Sequence, residues 1–66
     1  MNKPDWNNAP TWAKYLAMDE ENSWYWYEYT PEFRHSIGVW AGTGMTSLAE
    51  AGDDRVRAVN TLEVRP

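Results

Sequence analysis

Few side chains in this sequence could carry chemistry. The first is His35, the one imidazole among 66 residues and so the one side chain of the type that titrates near neutrality. A general base of that kind needs a nucleophile or a metal beside it. The chain has no cysteine, and Ser36 would point away from His35 on an extended strand, so nothing completes a nucleophile–base pair. Carboxylates cluster at Asp19-Glu20-Glu21 and at Asp53-Asp54. Neither group has calcium-loop spacing, and both fall where polar turns are expected, which makes them solvated charge. Gly42-Thr43-Gly44 lacks the later Gly and the Lys-Ser/Thr of a phosphate-binding loop. One His and no Cys cannot build a zinc site of the usual kind. The sequence therefore predicts a protein that is not an enzyme, with no catalytic residues, no metal and no cofactor.

The remaining candidates are aromatic. Trp24-Tyr25-Trp26-Tyr27-Glu28-Tyr29 holds five of the ten aromatic residues in six consecutive positions. Aromatics suit the pleated, half-buried surface of a strand, and alternation sends Trp24, Trp26 and Glu28 to one face and Tyr25, Tyr27 and Tyr29 to the other. Such a strand must be covered on both sides or keep one face for a partner. The expectation is that Trp24 and Trp26 belong to the core and that the tyrosine row is the more exposed. Tyr25, Tyr27 and Tyr29 then become candidate partner-binding residues, because Tyr and Trp are frequent interface anchors. Glu20 and Glu21, in the adjoining turn, join them as candidates that steer a partner. Trp6 is expected to fold back and tie down the N-terminal arm, with a partner-facing anchor as the alternative.

These residues need elements to position them. Residues 1–11, bordered by Pro4 and Pro10, predict an irregular arm. Residues 12–19 alternate as a strand, although Trp12, Tyr15 and Leu16 also fit a helix. Asp19 to Ser23 is a polar turn with Asn22 able to take positive φ, so a hairpin follows into a strand over 23–30. With Glu21-Asn22 as a two-residue loop, Ala17 would face Trp26 and Leu16 would face Tyr27. Thr30-Pro31 ends that strand, and 35–41 predicts a third, with Gly38 inside it. Ser47-Leu48-Ala49-Glu50 matches a capping box and predicts a short helix or turn near 46–51. Residues 55–65 predict a fourth strand, or a helix capped by Asp53. The fold class is thus small and mostly β, or α+β: a single domain over 1–66, an antiparallel meander of three or four strands with at most one short helix.

Net charge is −4, and residues 1–32, with two lysines against six acidic groups, carry all of it. An acidic hairpin half argues against binding nucleic acid by phosphate neutralisation, although tyrosine stacking on a single strand is kept as an alternative. It suits a basic protein partner. A chain this short is near the lower limit for a stable core, so a homodimer is also considered. No apolar run approaches a membrane span, and the N-terminus lacks the apolar stretch of a signal peptide, which predicts a cytoplasmic protein with no membrane partner.

Two resemblances attach to these residues. Trp12, a turn, Trp24-Tyr25-Trp26-Tyr27 and then Trp40 resemble the three-stranded WW module, which implies a groove for Pro-rich ligands. More closely, Asp5-Trp6, Ala9-Pro10 with Trp12-Ala13, Trp24-Tyr25-Trp26-Tyr27-Glu28 with Pro31, and Asn60-Thr61-Leu62-Glu63 with Arg65-Pro66 resemble short uncharacterised proteins encoded by tailed bacteriophages. That likeness implies an accessory protein in the cytoplasm of an infected bacterial host, commonly acting by stoichiometric binding to a host factor; the partner is expected to be a host or phage protein, and a structural or virion-associated homo-oligomer subunit is kept as a separate alternative.

Overall fold

The aromatic strand is the second of six among the described residues. In the computed structural model, which describes residues 3–52 and 57–66, the strands are β1 Tyr15–Met18, β2 Ser23–Tyr27, β3 Glu32–Arg34, β4 Val39–Ala41, β5 Thr46–Ala51 and β6 Glu63–Val64. Two single-turn 3-10 helices, Trp6–Asn8 and Ala58–Asn60, are the only helical elements among the described residues. The protein is small and mostly β. One antiparallel sheet has the order β5-β2-β1-β6, and β3 pairs with β4 in a separate ribbon.

The β1–β2 hairpin forms where the alternation places it, but one residue out of the expected register. Leu16 faces Trp26, Met18 faces Trp24, Ala17 faces Tyr25 and Tyr15 faces Tyr27. The cause is the turn. Asn22 N–H donates to the Asp19 carbonyl (2.9 Å) and Asp19 N–H to the Ser23 carbonyl (3.0 Å), with Asn22 at φ 65°. This is a three-residue loop, a type I turn closed by a left-handed residue, rather than a two-residue one. The extra loop residue shifts the pairing and sets Leu16 and Met18 against the tryptophans instead of the tyrosines.

Three further expectations are corrected. Residues 46–51 are a strand, not a helix: the capping-box match is local, whereas the outer edge of β2 needs hydrogen-bond partners along its whole length, and β5 supplies them from Ser23↔Ala51 to Tyr27↔Thr46. The register shifts between Trp24 and Tyr25, a bulge that leaves Ala49 to pack on the core. Residues 35–41 are not a third strand of the main sheet. Gly38 lies in the β3–β4 turn at φ 70°, a backbone conformation that favours glycine, with the Glu20 carboxylate lying against it. Among the described residues 57–65, only Glu63–Val64 is a strand, paired to β1; the proposed Asp53 cap and residues 53–56 lie outside the described residues.

The core lies on the tryptophan side of the sheet. Ala13, Leu16, Met18, Trp24 and Trp26 are buried together, and Trp6, Ala9, Trp12 and Ala49 close over them. Trp6 sits 5.0 Å from Trp26, ring to ring. Its indole N–H donates to the Glu63 carboxylate, which also takes Lys3, while the Arg65 guanidinium lies over its ring (5.6 Å). The arm is therefore tied down as expected, in a 3-10 turn capped by Asp5, whose side chain accepts from Asn7 N–H.

Candidate functional site

The other side of the sheet is only partly covered. Its residues come from alternate positions of β1 and β2, Tyr15, Ala17, Tyr25 and Tyr27, and Asp19 continues the same parity beyond the strand end. The β3–β4 ribbon is laid across one end of this face by three bonds to β1 and its turn. Trp40 N–H donates to Asp19 Oδ1 (3.0 Å), Trp40 Nε1–H to the Met18 carbonyl (3.1 Å) and Glu20 N–H to the Gly38 carbonyl (2.9 Å). Trp40 Nε1–H also reaches the Ala58 carbonyl (3.2 Å).

Thr61 completes the support from behind. Its hydroxyl accepts from Met18 N–H (2.8 Å) and donates to the Ala58 carbonyl (2.7 Å), so a side chain satisfies the edge of β1 where β6 does not reach.

Between ribbon and sheet runs an open cleft of about 300 Å³, lined by Asp19, Tyr25, Tyr27, Trp40, Ala41, Gly42 and Thr46. Three aromatic residues and one acidic residue contribute to its lining. Asp19 is only 9% exposed, and burial pushes its carboxyl above the ordinary value, opposed by the Trp40 N–H bond and reinforced by the nearby Glu21 charge. Burial likewise pushes the Tyr27 hydroxyl well above its usual range, with Asp19 and Tyr25 adding to the shift, so Tyr27 is a neutral phenol at any physiological pH. Its hydroxyl approaches the Trp40 carbonyl at 3.5 Å, the long limit for a hydrogen bond.

Beyond the cleft the face is apolar and open. Leu48 lies opposite Tyr25 on β5 and is 61% exposed. Tyr29 and Met45 are also exposed, positioned by Glu28, whose N–H donates to the Met45 carbonyl and whose carboxylate accepts Met45 N–H, both at 2.9 Å.

The six residues singled out from the sequence fare differently. Tyr25 is half-buried at the cleft and Tyr29 is exposed. Tyr27 is a correction: it is 3% exposed, because the ribbon at residues 40–42 covers its ring, and a Cβ on Gly42 would strike it. Glu20 and Glu21 are exposed in the turn, Glu20 lying against Gly38. Trp6 is half-buried on the opposite side of the sheet and does not join the others. Asp19, Trp40, Thr46 and Leu48 were missed. For Asp19 the signal was present, since odd-numbered parity from Tyr15 carries it onto the tyrosine face; for Leu48 it was absent, because a residue read as helical has no strand face.

His35 is exposed and packs edge-on to Phe33 (4.9 Å). Among the described residues no three His, Cys, Asp or Glu side chains gather as a metal site, and no helix is long and apolar enough to cross a membrane. Comparison with protein-family models, with curated proteins and with solved structures finds no match in any of the three.

Proposed function

We propose that this chain is a non-enzymatic binding module that docks a basic protein on its tyrosine face. Tyr25, Tyr29, Met45 and Leu48 would provide the contact, with Glu20 and Glu21 at the acidic end. The observation that carries it is the asymmetry of coverage: the tryptophan face is closed by the chain's own arm, whereas Leu48, opposite Tyr25, and Tyr29 are more than half exposed. Apolar surface rimmed by charge is the usual composition of an interface. In this reading the partner is a protein of an infected bacterium, bound stoichiometrically and inhibited by the binding, which the resemblance of the sequence motifs to tailed-phage proteins supports. The test is capture from bacterial lysate by the wild type and by Leu48→Asp, with circular dichroism as the control for folding. A partner retained by the wild type and lost at least tenfold by Leu48→Asp supports the reading; equal retention by both removes this face.

A homo-oligomer is the second reading, and one observation favours it. β5 is an outer strand of the sheet, six residues long, with no Lys or Pro and a single charge, whereas the opposite edge is closed off by a two-residue strand followed by Arg65-Pro66. Open edges of that kind pair with other chains. A concentration-independent monomer by light scattering would remove this alternative.

A further inference from the structure

We infer that the cleft between β2 and the β3–β4 ribbon takes a cationic side chain of the docked protein, a guanidinium in preference to an ammonium. This deepens the docking reading and rests on it. The cleft is lined by the two residue types that recognise a desolvated cation, an acidic one, Asp19, and aromatic ones, Tyr25, Tyr27 and Trp40, of which Tyr25 and Trp40 are half-buried and Tyr27 is covered. The carboxylate is unbalanced. Asp19 Oδ1 accepts one backbone N–H, but no Lys, Arg or His among the described residues forms an ion pair with it. Four described cations are engaged elsewhere, Lys3 with Glu63, Arg34 with Glu32, Lys14 over the Tyr29 ring, and Arg65 over Trp6 and on the Pro10 and Ala13 carbonyls, while Arg57 is exposed and forms no ion pair with Asp19. A carboxylate withdrawn from water is ordinarily paired. Here the charge of Glu21 raises the negative potential around it instead of relieving it.

Size and shape select the ligand. About 300 Å³ is at the small end for ligand pockets, roomy enough for one long side chain and its water but not for a nucleotide or a peptide. A guanidinium is planar, weakly hydrated and able to stack on a ring while donating to a single carboxylate oxygen, whereas an ammonium keeps its water more tightly. Tyr25 is the half-open tyrosine ring at the cleft, and Tyr27, 3% exposed and a neutral phenol, adds no competing charge.

The experiment is an amide-resolved NMR titration of the whole chain with N-acetyl-arginine methylamide, its lysine counterpart, and the neutral isostere N-acetyl-citrulline methylamide. The inference expects saturable shifts centred on the amides of Trp40, Gly42 and Thr46. It expects arginine to bind more tightly than lysine, and citrulline at least tenfold more weakly than arginine. Asp19→Asn, which keeps an acceptor for Trp40 N–H, should weaken arginine binding at least tenfold with the amide spectrum otherwise preserved. If that variant does not fold, Thr46→Arg, a change at an exposed position on the cleft wall, should occupy the site and abolish the shifts.

Equal binding of citrulline, shifts spread over every acidic residue, or undiminished binding by Asp19→Asn would overturn the inference. A captured protein whose retention depends on Leu48 but not on Asp19 leaves the docking reading standing and overturns the cleft. Arginine binding in a chain that captures no protein supports the cleft and removes the docking reading.

Discussion

Two carboxylates of this protein, Glu63 and Asp19, lie on opposite sides of one sheet and are treated in opposite ways. Glu63 receives Lys3 and the Trp6 indole N–H; burial alone would raise its carboxyl, but those two bonds and the lysine charge outweigh it and hold it below the ordinary value. Asp19 is raised, chiefly by burial, which its one backbone N–H bond opposes and the neighbouring Glu21 charge reinforces. A partnered carboxylate finishes a structure. A buried one without a cation imposes a cost on the folded state, and such costs concentrate at sites where a ligand later removes them.

The comparison can be broken first at its hydrophobic base. Trp26→Ala, on the closed face, deletes a side chain that is 4% exposed and in ring contact with Trp6. The expected loss is about 3–5 kcal/mol, comparable to the whole stability of a domain this small. Urea denaturation measures it, and a midpoint near that of the wild type would mean that the tryptophan face is not the core.

The carboxylates themselves give smaller and opposite effects. A lowered folded pKa, as at Glu63, contributes stability that is present above the unfolded carboxylate value and is lost as pH falls through the folded one. A raised folded pKa, as at Asp19, has the other sign: the folded state binds the proton more tightly, so stability falls as pH rises from the ordinary value of 3.8 through the raised one. Glu63→Gln should therefore cost about 0.5–1 kcal/mol at pH 7, the range of a partly exposed pair, and make the acid limb shallower. Asp19→Asn should be neutral or stabilising by less than about 1 kcal/mol at pH 7, and should make the acid limb steeper by removing a compensating gain. Thermal melts from pH 7 to pH 3 follow both. If Asp19→Asn proves the more destabilising of the two, its carboxylate is a structural strut for the β3–β4 ribbon and the contrast fails.

What could be read from the sequence was what local rules decide. The Asp19–Ser23 turn with a left-handed Asn22, the strands on either side, and the assignment of Trp24 and Trp26 to the core all follow from alternation and turn chemistry. The register did not, because two-residue and three-residue loops both fit Asp19-Glu20-Glu21-Asn22-Ser23 and differ by one residue in what faces Trp26. Long-range pairing was hidden as well. Ser47-Leu48-Ala49-Glu50 has the letters of a helix start and becomes a strand only because β2 lies beside it. Half of the candidate site followed these errors: Tyr25 and Tyr29 were legible on their strand, whereas Leu48 and Trp40 depended on partners distant in sequence.

The strand order β5-β2-β1-β6 also has a kinetic consequence. The central hairpin is local and can close in about 1–10 μs, but its two outer neighbours arrive from far along the chain, Thr46 to Tyr27 and Glu63 to Leu16. Those non-local closures precede most of the reward from burial, so the folding time should be set by topology, in the millisecond range or slower, rather than by the hairpin. Stopped-flow tryptophan fluorescence resolves the difference, and refolding completed within the dead time would show that the outer strands add after the barrier instead of at it.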